Sequence, residues 1–142
     1  MPTATANSNV VYTARAHTTG GRDGGTSRTS DGHLDVKFSI PGGPGTGTNP
    51  EQLFAAAWAT CFIGAMRNAA ARMKLRFPAD VSIDTEIDLC KTDEEFFIKG
   101  RHNISIPGLD RQTAEELVQA ADKICPYSKA TRGNIEAQIN LV

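Results

Sequence analysis

Between residues 34 and 40, apolar Leu34, Val36, Phe38 and Ile40 alternate with Asp35, Lys37 and Ser39. That is the period-two signature of a strand buried on one face. The same alternation returns over residues 80–90, where Val81, Ile83, Thr85, Ile87 and Leu89 interleave with polar neighbours. A turn at residues 91–94 then predicts a hairpin with a further strand over 95–106. Two β-rich pieces stand at the front of the chain, residues 9–17 and 26–30, with the glycine-rich turn 18–25 between them. The Asp31-Gly32 step separates 26–30 from 34–40, and the Gly/Pro-rich stretch 41–48 reads as a loop. A last strand is expected over 134–142, with Ile135, Ala137, Ile139 and Leu141 on one face.

Two segments switch to helical character. Asn49 and Pro50 make a strong helix start, with Gln52 three residues past the cap. The helix runs to about Lys74, and through its first four turns it is apolar on every side. A helix with no polar face must be enclosed all round, and a partner subunit could supply the cover a chain this short lacks. The second helix, residues 110–124, is amphipathic: Leu117, Val118, Ala121 and Ile124 line one side and Glu115, Glu116 and Lys123 the other. Pro126 stops it, and a short turn through Ala130 leads to the last strand. The order ββαββαβ lacks the strict alternation of a doubly wound parallel sheet. It predicts a single α+β domain over residues 1–142, a largely antiparallel sheet around a long buried central helix.

Composition narrows the chemistry. The 142 residues carry 15 Lys and Arg against 16 Asp and Glu, a net charge of −1, and 39% are apolar. No basic field exists to hold a phosphate backbone, so nucleic acid is not an expected partner. The uncharged run from Gln52 to Met66 is 15 residues, short of the roughly 20 that span a bilayer, so no membrane segment is expected. The first residues show neither the basic nor the apolar region of a secretory signal. Three cysteines in such a chain suggest a reducing, cytoplasmic setting, in which a disulfide is more often catalytic than structural.

Each candidate reactive residue has a plain structural alternative. Cys61, midway along the apolar helix, reads first as a small buried hydrophobe, and burial alone would raise its pKa. To serve as a thiolate it needs a cation beside it. Cys125 closes the second helix just before Pro126, where its side chain can be partly exposed, and Cys90 sits at a strand end with no evident role. Arg22 lies in a Gly-flanked turn, and Glu51 in a first helical turn that favours its charge. Either is satisfied by a structural role, yet a carboxylate is also the natural clamp for a guanidinium that must be aimed. His17, His33 and His102 are scattered over strand positions, and His33 and His102 read as solvated strand or turn residues. No metal-ligand spacing, nucleophile elbow or phosphate loop occurs, so no metal and no cofactor are expected.

Four stretches together carry a family resemblance. They are Gly20-Gly21-Arg22-Asp23-Gly24, the run from Thr48 through Glu51 to Ala56, Ala59-x-Cys61-Phe62, and Cys125-Pro126-Tyr127-Ser128 continuing through Ala130-Thr131-Arg132-Gly133-Asn134-Ile135. Over nearly the whole chain this resembles the organic hydroperoxide resistance branch of the Ohr/OsmC family. The resemblance implies an intertwined homodimer and a thiol peroxidase for alkyl and fatty-acid hydroperoxides, recycled by a dithiol such as lipoamide or a lipoylated protein. It implies Cys61 as the peroxidatic cysteine, Cys125 as the resolving one, and Arg22 with Glu51 as the activating pair. Leu53, Phe54, Trp58, Phe62, Ile63 and Tyr127 are the candidates for holding substrate. The chain departs from the family pattern in the charged, thiol-bearing stretch 89–97, and at Trp58, where a smaller aromatic or a Gly-Tyr pair is usual.

Two further readings remain. One is a non-catalytic dimer binding apolar ligands; the other is an OsmC-type peroxidase with a different peroxide or reductant. Glu51 and Cys61 lie ten residues apart, about 15 Å of rise on a straight helix. One Arg22 cannot readily serve both within a straight helix, so either the helix breaks near Ala55–Ala57 or the pair serving Cys61 comes from the other subunit, and the second is expected.

Overall fold

The computed structural model describes residues 8–142, in two compact units that divide between Asn49 and Pro50. The stretch read above as lacking a secretory signal, residues 1–7, lies outside the described residues.

The first unit is a small antiparallel sheet of β1 (Ala16–Thr19), β2 (Thr26–Thr29) and β3 (Asp35–Lys37), in that order. Thr19 faces Thr26, and Ser27 faces Val36. The tight connection between β1 and β2 needs left-handed backbone, and Gly20, Gly21 and Gly24 supply it at φ of 76°, 69° and 78°. Phe38, buried at 7% exposure, pins this turn from below. Its carbonyl accepts the Gly24 N–H at 3.0 Å, and its own N–H donates to the Gly25 carbonyl at 2.9 Å. Residues 9–15 of the strand expected over 9–17 carry no regular structure, and Val10, Val11 and Tyr12 stand exposed. Strand-forming side chains do not make a strand where no neighbouring strand pairs with their backbone.

The second unit holds α1 (Pro50–Arg72), β4 (Ser82–Lys91), β5 (Phe96–Ser105), α2 (Arg111–Ile124), α3 (Pro126–Thr131) and β6 (Ala137–Leu141). β4 and β5 form the expected hairpin, Ile83 facing Ile104 and Thr85 facing His102, and β6 joins the far edge of β5 in parallel. The architecture is thus α+β, with mainly antiparallel pairing spread over two three-stranded sheets rather than one. α1 is unbroken, which removes the expectation of a break near Ala55–Ala57 as the alternative. It ends in a left-handed Lys74 (φ 56°), with the Leu75 N–H on the Ala70 carbonyl and the Lys74 N–H on that of Ala71. That pair of bonds closes the orphan carbonyls of the last turn.

Within the chain α1 buries one face, with Trp58, Phe62, Ala65, Met66, Ala69 and Ala70 in the core, while Ala56, Thr60 and Gly64 on the opposite side are exposed. The core is completed by Ile104 of β5, by Ile106 just after it, and by Leu117, Val118 and Ala121 of α2. Gly100 of β5 lies under the Trp58 ring: a Cβ there would sit 2.8 Å from Trp58 Cζ3 and 3.1 Å from Ile87 Cδ1. The indole takes the volume that any larger residue at position 100 would need. Gly100→Ala should therefore lower stability by about 1–3 kcal/mol through overpacking, read from the denaturation midpoint. An unchanged midpoint would show that the sheet yields to Trp58 without strain.

Candidate active site

The chain between α2 and α3 is a one-residue joint. Asp110 opens α2, its carboxylate accepting the Thr113 N–H at 3.1 Å. Cys125 ends that helix, its N–H donating to the Ala121 carbonyl at 2.9 Å, and it also caps α3 in an extended conformation, φ −64° and ψ 120°. Pro126 then takes the first position of α3, where a missing N–H costs nothing. That proline carries the signal for α3, a short helix where the sequence predicts only a turn through Ala130. Tight packing turns the Cys125 side chain inward: it is 0% exposed, not partly exposed as expected.

Cys125 meets Cys61 in that interior. Its Sγ–H donates to Cys61 Sγ at 3.5 Å, across 64 residues of sequence, and both thiols are reduced. A disulfide needs about 2.05 Å, so closure asks for a movement of roughly 1.5 Å. Cys61 keeps partial access to solvent. Burial raises its pKa, and the neighbouring Cys125 raises it further, while the backbone N–H of Tyr127 pulls it down. The net direction is upward, so these groups leave the thiol protonated and weakly nucleophilic.

The other candidates fall in different places. Trp58 and Phe62 are core residues with essentially no accessible surface. Leu53, Phe54 and Ile63 are half-buried, and Tyr127 is 40% exposed. Phe54, two turns before Cys61 on the same side of α1, stands edge-on to both Trp58 (5.8 Å between ring centres) and Tyr127 (6.3 Å). Ile63, two residues beyond Cys61, points about 200° round the helix and does not share its face. Glu51 lies in the first turn of α1, ten residues before Cys61. Arg22 lies in the β1–β2 turn of the first unit, within the glycine frame held by Phe38. Cys90 is half-buried on the outer face of the β4–β5 hairpin, opposite Phe97. Among the described residues no group of three or more His, Cys, Asp or Glu is gathered as a metal site, and no helix is long and apolar enough to cross a membrane.

Two residues were not anticipated. Ser128 of α3 is buried and its Oγ accepts the Trp58 indole N–H at 3.2 Å. His102, read from the sequence as solvated, is 0% exposed. Its Nδ1 lies 2.6 Å from Thr85 Oγ1, its ring stands 4.5 Å from that of Trp58 at 77°, and its Nε2 is buried without a protein partner. The strand's own alternation, Ile98, Gly100, His102 and Ile104, already put it on the inward face.

Burial drives the His102 pKa down to about 4, against a smaller upward pull from Asp122. Below its ordinary value of 6.5 the unfolded chain takes up a proton that the folded chain refuses until about pH 4. Stability should thus fall by about 3 kcal/mol as pH drops from 6.5 to 4, and this contribution should level off below that. The lowered carboxylates Asp88 and Asp110 add their own losses at more acid pH. Denaturation midpoints across this range should show the slope in the parent chain and lose it in His102→Leu, whatever that variant's stability at pH 7.

Comparison with known proteins gives matches that agree with one another. A family model described as OsmC-like protein matches residues 42–140. An organic hydroperoxide resistance protein of Xanthomonas axonopodis pv. citri (strain 306) is 48% identical over 136 residues, covering 93% of this chain and 95% of that one. The crystal structure of the organic hydroperoxide resistance protein OhrB of Bacillus subtilis matches with a TM-score of 0.87 at 40% identity, over 94% of this chain and all of the other. An organic hydroperoxide resistance protein from Legionella pneumophila matches with a TM-score of 0.88, also at 40% identity, over 94% and 98% of the two chains.

Proposed function

This chain belongs to the OsmC-like family, among its organic hydroperoxide resistance proteins, and from that premise we propose that it is a cysteine-based peroxidase for organic hydroperoxides. The observation that carries the reading is the 3.5 Å approach of two thiols, one partly accessible and the other sealed in the core. In the proposed reaction the Cys61 thiolate attacks one peroxide oxygen and the O–O bond breaks. The leaving alkoxide takes a proton and departs as the alcohol, leaving Cys61 as a sulfenic acid. The Cys125 sulfur then attacks Cys61 Sγ, the S–O bond breaks, and water leaves as the disulfide forms. A small dithiol such as lipoamide, free or protein-bound, reduces that disulfide by two exchanges and becomes the cyclic disulfide itself.

Cys61 needs a cation, because burial and Cys125 push its pKa upward. Arg22 is the proposed source: its guanidinium would favour the thiolate and stabilise charge on the departing alkoxide. Glu51 would aim it through a bidentate pair. Along the unbroken α1, Glu51 and Cys61 are separated by about 15 Å of rise. The proposal therefore takes the Arg22–Glu51 pair serving each Cys61 from a second copy of the chain. A homodimer is further supported by the exposed Val10, Val11, Phe96 and Phe97 and by the small-residue face of α1 at Ala56 and Gly64. Phe54 and Tyr127, with Leu53 beside them, would present apolar surface to an alkyl chain, and Ile63 would do so only for the facing copy. The proposed setting is the cytoplasm, where dithiols are kept reduced.

One equivalent of cumene hydroperoxide should consume two thiols per chain and release one equivalent of cumyl alcohol. Cys61→Ser should abolish that release. Cys125→Ser should give one turnover and stall with Cys61 as sulfenic or over-oxidised acid by mass; sustained turnover with dithiol would remove the resolving role. Thiols untouched by peroxide, with ligand retained, would indicate instead an apolar-ligand binder.

The electrostatic part has its own check. The Cys61 thiol should titrate below the usual cysteine range in the intact protein and well above it in Arg22→Gln, followed by thiolate absorbance or alkylation rate against pH. A Cys61 that titrates alike in both proteins would leave the thiolate without its proposed source of activation.

A further inference from the structure

Two contacts cross from α1 to the joint and short helix that carry the resolving cysteine. One is the Cys125–Cys61 sulfur contact at 3.5 Å. The other is the Trp58–Ser128 hydrogen bond at 3.2 Å, closed from solvent at both ends. They repeat one spacing. Trp58 precedes Cys61 by three residues on α1, and Ser128 follows Cys125 by three at the start of α3. Residues three apart on a helix share a face, so the two contacts lie side by side about one turn apart.

The first contact is altered by the chemistry, because Cys61 gains an oxygen when it is oxidised. The second contains no reactive atom, so oxidation of Cys61 leaves its donor and acceptor chemically unchanged. Trp58 is itself braced from the sheet. Gly100 beneath it leaves no room for a Cβ, Phe54 stands edge-on at 5.8 Å, and His102 stands edge-on at 4.5 Å. His102 is in turn tied to Thr85 at 2.6 Å. A line of contacts therefore runs from β4 through β5 and α1 to α3, and its last link is an indole N–H on a serine hydroxyl. In a core position an alanine would fill almost the same space as Ser128. The hydroxyl's distinct contribution is to receive that N–H, which would otherwise be buried unpaired.

We propose that the Trp58–Ser128 hydrogen bond is a positioning strut that holds Cys125 within reach of Cys61 after Cys61 has been oxidised, so that disulfide closure depends on it and peroxide reduction does not. This rests on the peroxidase reading above. Neither Trp58 Nε1 nor Ser128 Oγ meets a reacting atom in the step; they set where the Cys125 sulfur stands when it displaces hydroxide from the sulfenic acid.

The test separates the two steps in a single turnover with cumene hydroperoxide. Trp58 is the only tryptophan in the chain, so its fluorescence follows closure in Ser128→Ala, and quenched samples assayed for free thiols and trapped sulfenic acid follow both steps in every variant. Ser128→Ala should reduce the first equivalent of peroxide at the parent rate. Its disulfide should close about tenfold more slowly, as expected for one orphaned buried donor, and trapped sulfenic acid should accumulate. Trp58→Phe combined with Ser128→Ala should close no more slowly than Trp58→Phe alone, because two ends of one strut cannot be lost twice. Closure at the parent rate in Ser128→Ala overturns the proposal. So does an equal slowing of both steps, or full additivity in the double variant. If the parent protein itself forms no Cys61–Cys125 disulfide, the peroxidase reading has failed and this inference fails with it.

Discussion

A buried thiol resists ionisation, and the chemistry proposed for this chain requires an ionised one. At Cys61 desolvation is the largest influence, and the second thiol beside it pushes the same way. The one local contribution in the opposite direction is a backbone N–H from Tyr127. The apolar setting that suits an alkyl substrate therefore opposes the nucleophile, and the opposition must be met by charge brought from another element. The arginine proposed for that role, Arg22 clamped by Glu51, would answer this constraint, and the length of α1 between Glu51 and Cys61 is why a second copy of the chain is proposed to supply it.

The helical unit solves a different problem with packing. Bringing two sulfurs 64 residues apart to 3.5 Å requires that α2 stop abruptly and that its last residue face inward. Asp110 sets where α2 begins and Pro126 forces the chain to turn and begin a new helix. Cys125 holds the corner, with its backbone serving both helices and its sulfur in the core. The same corner places Ser128 under the Trp58 indole. The two thiols and this scaffold contact thus lie about one turn of helix apart.

The sheet beneath is equally economical. β5 presents Gly100, His102 and Ile104 inward: no side chain, a neutral polar ring and a branched aliphatic chain. The missing side chain accommodates Trp58, the imidazole stays uncharged because solvent cannot reach it, and Ile104 closes the core. The outward face of the same hairpin carries Arg101 between Glu86 and Asp88, a partly solvated ion-pair network of the kind that contributes little to stability.

Local pattern was sufficient for much of this. Alternation marked the β4–β5 hairpin, and Asn49-Pro50 and the amphipathic period of residues 110–124 marked the helices, because those signals arise from each element's own backbone geometry. Cys61, Cys125, Arg22 and Glu51 could be named as candidates from motifs that resemble a family's. What one dimension does not contain is which surfaces meet. Residues 9–15 have the side chains of a strand, but pairing depends on a neighbour. All-round apolarity of α1 announced burial without saying that one chain covers only one face. His102 and Ser128 were passed over because a lone polar residue acquires its meaning from what lies opposite it in space. Composition and period determined the elements, and the motifs named the candidate groups; tertiary packing decided that two thiols would touch, that an indole would find a hydroxyl, and that burial would push both Cys61 and His102 toward their neutral forms.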